Sequence, residues 1–289
     1  MNRTGEAAPR SRTTRAAVVP ILVASILVAA STVFAHDFWL VPDASWIAGD
    51  SAVRTSGRSG TRFPHGSAVQ PVRVADARIV GASSQMKITE MTVEGSSLRL
   101  SQKPTTPGQY LIVVGLTPRT TRSTPAGFAR FLRAEGGADE ATRLERENAF
   151  AGRDSVVYHS ASFAATIVQF GMGGPVAYSV NTGHPLQFIP LSDPTHVHVG
   201  DVFHVRIEGN GKPLANTGVY ANGVLDSAAT NAAAATVHLM TDAKGVVHIP
   251  LTRDGPWIIR AAYVSPKKGT PGEWDVARAT YVFPVGAEH

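Results

Sequence analysis

The chemistry that this sequence offers most readily is metal chelation at His36, which follows an apolar N-terminal stretch. Val33 and Ala35 occupy the positions that signal peptidase reads, so cleavage after Ala35 is expected. His36 would then begin the mature protein and carry a free α-amine beside its imidazole. Together with the Asp37 carboxylate, these groups can chelate Cu(II), Ni(II) or Zn(II). Without cleavage at this point the amine is an amide, and the chelate is lost.

A second group of histidines lies in the C-terminal half of the chain. A strand is predicted over residues 194–201, and His196 and His198 would project from one face of it. A Gly-Asp turn would then bring the next strand alongside, with His204 near the other two. Three neutral imidazoles suit Zn, Cu or Ni. The alternative is that the intervening valines face the core while the two histidines face water.

Two further histidines can approach His36: His65 lies in a predicted turn of the first domain, and His184 lies at the entry to the second. The full set of candidate metal ligands is His36, Asp37, His65, His184, His196, His198 and His204. A histidine placed across from His36 would also permit a histidine-brace copper oxygenase, which is the one enzymatic alternative.

Other catalytic signatures are absent from the sequence. It contains neither a Gly-x-Ser-x-Gly elbow nor a His-Glu-x-x-His helix, and its carboxylates are scattered rather than paired. We therefore expect a protein that is not an enzyme and that holds at most a divalent transition metal ion (Ni, Co or Cu) as cofactor.

Residues 1–35 have the pattern of a signal peptide, with four arginines followed by an apolar run. The expected location is the periplasm; an uncleaved segment would instead act as a membrane anchor. Removing these residues takes away four arginines and one glutamate, so the formal charge falls from +5 by three to +2. A charge near +2 gives no reason to expect nucleic-acid binding. The chain has no cysteine, so core burial must hold it together without disulfides.

The remaining sequence predicts an all-β fold of two β-sandwich domains. Short runs rich in Val, Ile, Thr and Tyr, bounded by Gly, Pro and Asp, indicate strands throughout. A first domain is expected over residues 36–174, with a helical insert at about 125–152 where the apolar spacing changes to that of a helix. A second domain, an immunoglobulin- or transthyretin-like sandwich, is expected over residues 175–289.

Several motifs together resemble the NikM-like family of exported bacterial proteins. They are residues 36–40, 128–136, 184–191, 209–214, 241–245 and 255–261. The resemblance implies a periplasmic, non-catalytic protein that serves nickel or cobalt uptake, with an inner-membrane metal transporter as its partner.

Two functions therefore follow from the sequence. The first is a periplasmic metal-binding protein that assists the uptake or handling of nickel, cobalt or copper. The alternative is a metal-independent β-sandwich module of the cell envelope that binds a protein or a polysaccharide.

Overall fold

The computed structural model describes Met1 and residues 36–224 and 236–286. The predicted signal peptide lies outside these residues except for Met1. The described part of the chain is an all-β fold with two short helices, as predicted. Its strands are β1 Asp37–Pro42, β2 Trp46–Ile47, β3 Val53–Arg62, β4 His65–Ala68, β5 Val74–Val80, β6 Gln85–Lys87, β7 Glu90–Glu94, β8 Ser97–Gln102, β9 Gly108–Leu116, β10 Arg119–Ser123, β11 Val156–Phe170, β12 Leu186–Pro190, β13 Val202–Gly209, β14 Lys212–Pro213, β15 Gly218–Gly223, β16 Val237–Met240, β17 Val246–Pro250, β18 Gly255–Pro266 and β19 Glu273–Val285.

The strands form three sheets. The first has the order β1-β3-β8-β7, with β4 paired to β3. The large sheet has the order β16-β15-β18-β19-β11-β9-β5-β6, with β2 and β10 also paired to β11. The third consists of β12-β13-β14, with β17 paired to β13.

The large sheet is the middle of three layers. Successive side chains of a strand point to opposite faces, and β11 shows the result. Ala164 and Val168 belong to the core shared with the first sheet, whereas Ile167 belongs to the core shared with the third. One sheet therefore closes two β-sandwiches, and both hydrophobic cores depend on it.

The helical insert is present as two helices, α1 Pro125–Ala134 and α2 Ala138–Arg146. The side chain of Thr124 caps α1 by accepting a hydrogen bond from the Gly127 amide. Gly136, at φ +76°, follows the end of the helix, as a left-handed residue commonly does. The second helix ends earlier than the sequence pattern suggested. Among the described residues, no helix is long and apolar enough to cross a membrane.

Strands from both sides of the expected domain boundary at residue 174 occur in the large sheet. β11 pairs in parallel with β19 over ten residue pairs, from Val157 with Glu273 to Thr166 with Val282. The division into residues 36–174 and 175–289 stays a prediction, although the two parts share this sheet.

The strand predicted over residues 194–201 is wrong, because Pro194–His196 is a 3-10 helix. There Asp193 accepts a hydrogen bond from the Thr195 amide at 2.9 Å, which favours a helical turn over an extended chain. Residues 71–73 form another 3-10 helix, where Pro71 fixes φ and cannot donate to a ladder.

Candidate functional site

A cavity of about 550 Å³ opens between the first sheet, the large sheet and α1. It is larger than two cavities of about 270 Å³ and 280 Å³ elsewhere between the described residues. Its polar and charged lining residues are His36, Ser59, Gln70, Arg73, Thr117, Arg119, Thr121, Glu135, Tyr158, Ser160, Ser162 and Arg278.

Sheet register places much of this lining on one face. Tyr158, Ser160 and Ser162 alternate along β11, so their side chains point the same way. On β10, Arg119 lies opposite Ser160. On the other side of β11, Arg278 of β19 lies beside Ser162. Two guanidinium groups thus flank a row of hydroxyls on the wall that the large sheet provides.

Arg278 is the buried cation of this wall. It forms an ion pair with Glu135, whose side chain is only 5% exposed, at the end of α1. It also donates to Ser162 Oγ at 2.8 Å and to the His36 carbonyl at 3.4 Å. Burial lowers the pKa of Arg278, and the nearby positive charge of Arg119 lowers it further, whereas Asp37 raises it. Arg278 remains a cation, because a guanidinium is not deprotonated in proteins.

Arg73 and Arg119 are the more exposed arginines of the cavity lining. Arg73 donates to the Thr117 carbonyl at 2.8 Å. Burial lowers the pKa of Arg73, and the positive charge of Arg119 lowers it too, so these two groups repel each other. Within the described residues, neither has a carboxylate within 4.0 Å. Three arginines against the single glutamate leave the cavity lining with an excess of two positive charges.

Apolar and aromatic residues from several elements complete the lining of the cavity. Phe131 of α1 stacks on Tyr158 with ring centroids 4.7 Å apart. Phe38 and Leu116 add apolar surface. Within the described part of the chain, the buried Ser160 Oγ has no hydrogen-bond partner. The cavity therefore combines donors for an anion with a surface for the carbon skeleton of an organic ligand.

His36 and Asp37, the first predicted metal ligands, are placed differently from each other. His36 is exposed and lines the cavity. The Asp37 carboxylate instead accepts a bond from Arg260 Nη1 at 3.2 Å, and Arg260 Nη2 also donates to Asn222 Oδ1 at 2.6 Å. A bare divalent cation fits poorly here, because the carboxylate is already paired and the adjacent cavity carries excess positive charge.

His65 and His184 do not line the cavity that His36 lines. His65 is exposed at the start of β4. His184 is buried, contacts the ring of Phe163, and lies 3.3 Å from Asp76 Oδ2. Burial lowers the pKa of His184, while the Asp76 carboxylate raises it and Arg78 lowers it.

The sequence analysis expected His196, His198 and His204 on one face of neighbouring strands. The structure does not place them so. His196 ends a 3-10 helix and lies 3.2 Å from Asp193, and His198 lies 3.8 Å from Asp201. His204 lies on β13, whose ladder partners are β12, β14 and β17. Across the described residues, no three His, Asp or Glu side chains are grouped to hold one metal ion.

Sequence reasoning missed the arginines of the cavity. Arg73, Arg119 and Arg278 are far apart in the chain, and no local spacing connects them. Glu135 falls within the motif at residues 128–136, which gives no sign of its pairing with Arg278. The one available signal was the alternation of Tyr158, Ser160 and Ser162, which marks a polar face on an otherwise apolar strand.

The fold and this cavity together define an all-β protein with a basic pocket between its layers. The chain belongs to the family described as "Domain of unknown function (DUF4198)", whose model matches residues 33–265. No curated protein matches the sequence. The family match does not confirm the NikM-like resemblance, so the uptake role that the resemblance implies stays a prediction.

Solved structures show only distant similarity. The D0-D1 domain of intimin is 15% identical, with 86% of this chain and 98% of that chain covered and a TM-score of 0.21. A DUF4785 family protein from Legionella pneumophila subsp. pneumophila str. Philadelphia 1 is 8% identical, with 76% and 50% covered and a TM-score of 0.24. The Escherichia coli adhesin FdeC is 13% identical, with 86% and 63% covered and a TM-score of 0.21. This chain thus spans about half of the Legionella structure. TM-scores this low transfer no function to this chain.

Proposed function

We propose that this protein is an exported, non-catalytic binding protein that takes a small organic anion into the arginine-lined cavity. The observation that carries the proposal is the uncompensated positive charge of Arg73 and Arg119 beside the buried Arg278. Guanidinium groups recognise carboxylate, phosphate and sulfate through paired charge-assisted hydrogen bonds.

The rest of the lining indicates what the anion is attached to. The hydroxyls along β11 can exchange hydrogen bonds with a polyhydroxylated ligand, and Phe131 and Tyr158 offer ring surface to its carbon skeleton. An acidic sugar or a hydroxycarboxylic acid has both features. The proposal is therefore a form of the metal-independent binding module, with the cavity as the binding surface.

Export is part of the proposal and is supported by the pattern of residues 1–35. The absence of a catalytic role is supported by the sequence, which lacks paired carboxylates and a nucleophile motif. Uptake of nickel, cobalt or copper with an inner-membrane transporter stays a prediction, and the poor fit of a bare cation beside His36 does not favour it.

The test compares two arginines of one strand. The exported form is titrated calorimetrically with galacturonate, citrate, inorganic phosphate and sulfate, using wild type, Arg119→Ala and Arg122→Ala. Arg119 lines the cavity, whereas Arg122, which donates to Ser155 Oγ, does not. Losing a charge-assisted hydrogen bond costs about 1.5–3 kcal/mol, so Arg119→Ala should weaken binding by about 10- to 100-fold.

Arg122→Ala should bind as wild type does. The proposal is wrong if none of the four anions binds, or if the two variants weaken binding equally. A steep fall in affinity with added salt would agree with an electrostatic contribution.

A further inference from the structure

Two histidines face each other on the outer side of the third sheet. His204 of β13 and His248 of β17 are direct partners in the antiparallel ladder. Their Nδ1 atoms are 2.6 Å apart, and their ring centroids are 4.7 Å apart with the ring planes at 83°. The sequence analysis had grouped His204 with other histidines, and this partner was not expected.

The alternation of the two strands fixes the pair on the solvent side. The neighbours of His204, Phe203 and Val205, are fully buried, and so are the neighbours of His248, Val247 and Ile249. Because successive side chains alternate, neither imidazole can turn into the core without displacing these residues. The backbone thus holds the two rings together at the surface.

The facing nitrogens suit a shared metal ion. When both rings are neutral, one Nδ1 carries the proton of the present hydrogen bond and the other accepts it. On metal binding, the proton of that ring moves to Nε2, so that each ring presents an Nδ1 lone pair to the ion. With metal–nitrogen distances of about 2.0–2.1 Å, two ligands lie about 2.9 Å apart at a right angle and about 3.3 Å apart in a tetrahedron. The rings need to separate by less than about 1 Å, which small side-chain rotations allow.

The charges around the pair are mixed. Asp242, in the turn before β17, accepts bonds from the Val246 and Lys244 amides, both on Oδ1. These backbone bonds lower the pKa of Asp242, as do the nearby His248 and Lys244, so the carboxylate stays ionised near the imidazoles. On the same face of β13, Arg206 is paired with Glu208 at 2.9 Å. The negative charge of Asp242 acts on His248 and favours a cation beside it.

We propose that His204 and His248 form a bidentate surface site for a borderline divalent ion, Cu(II), Zn(II) or Ni(II). Two imidazoles leave the remaining positions to water or to a small external ligand. This site is independent of the cavity and of the anion proposed for it.

The experiment titrates the exported form, purified without a histidine tag, with Cu(II) and with Zn(II) by calorimetry. Wild type is compared with His204→Ala and His248→Ala. Each variant should lose at least about tenfold in affinity, because each removes one of the two protein nitrogens. Circular dichroism checks that the variants fold. Substitutions at these two surface positions are not expected to unfold the sheet.

Two control variants distinguish metal binding by His204 and His248 from metal binding by other histidines. His238→Ala removes an exposed histidine of β16 that lies 3.0 Å from Asp139, and it should bind metal as wild type does. His36→Ala removes the predicted terminal chelate and should also leave this binding unchanged. The proposal is overturned if wild type binds neither metal, if folded His204→Ala or His248→Ala binds as wild type does, or if His238→Ala or His36→Ala weakens binding as much.

Discussion

Glu135 and Arg278 form a buried ion pair that ties the end of α1 to β19 in the wall of the cavity. Their side chains are only 5% and 16% exposed, so neither charge is well hydrated by bulk solvent. The pair therefore contributes both to the stability of the helical insert and to the charge of the cavity.

Glu135→Gln should destabilise the protein strongly. Removing one partner of a buried pair leaves an uncompensated charge, which costs about 3–5 kcal/mol. The measurement is urea unfolding. Glu145→Gln, which breaks the exposed pair with Arg133, should cost at most about 1 kcal/mol. Equal losses in the two variants would show that the Glu135 pair is not buried in solution.

The same variant should bind anions more tightly if it remains folded. Loss of the Glu135 carboxylate removes the one negative charge from the cavity lining, so the excess of positive charge rises. Calorimetry with galacturonate should show a several-fold higher affinity for Glu135→Gln than for wild type. An unchanged or lower affinity would contradict the electrostatic role assigned to the cavity.

His184 should make the protein less stable as the pH falls. Burial holds the pKa of His184 below the ordinary value of 6.5, so the unfolded chain takes up a proton before the folded one does. The stability is complete above about pH 6.5 and declines as the pH falls from there to the folded pKa. Urea unfolding from pH 8 to pH 5 should show a steeper decline for wild type than for His184→Gln. Parallel curves would show that another group is responsible.

Gly245 should tolerate no side chain. It has φ +74°, and a Cβ there would lie 2.9 Å from the Leu214 nitrogen and 3.1 Å from the Ile207 oxygen. Gly269 has a similar φ of +79° but open space around it, so Gly269→Ala measures backbone strain alone. In urea unfolding, Gly245→Ala should lower the free energy of unfolding by at least about 1 kcal/mol more than Gly269→Ala does. Equal losses of unfolding free energy in the two variants would show that the turn adjusts its backbone to accept the Cβ.

His36 is expected to begin the exported chain, which mass spectrometry of the secreted protein can establish. The positive charge beside it predicts that His36→Ala leaves Ni(II) affinity unchanged. A loss of tenfold or more would instead support the terminal chelate expected from the sequence.

The strands were predictable where apolar and turn residues alternate clearly. β9 and β11 contain the runs rich in Val, Ile, Thr and Tyr that predict strands, and α1 begins at Pro125, where the helical insert was expected to begin. The segment around Pro194 was misread because Asp193 bonds locally to the Thr195 amide, and a pattern of valines and histidines does not reveal that bond.

The site was not predictable because it depends on pairing between distant segments. Arg119 meets Ser160 through an antiparallel ladder, and Arg278 meets Ser162 through a parallel one. The register of either ladder cannot be read from one sequence. The same holds for His204 and His248, whose contact follows entirely from which strands become neighbours.

The central position of β11 also determines how the protein unfolds. The two faces of β11 contribute to two different hydrophobic cores, so unfolding of one sandwich exposes the core of the other. Heat or urea should therefore unfold both in a single cooperative transition. A fragment cut at residue 174 would leave β19 with a bare edge, open to association with other copies of itself.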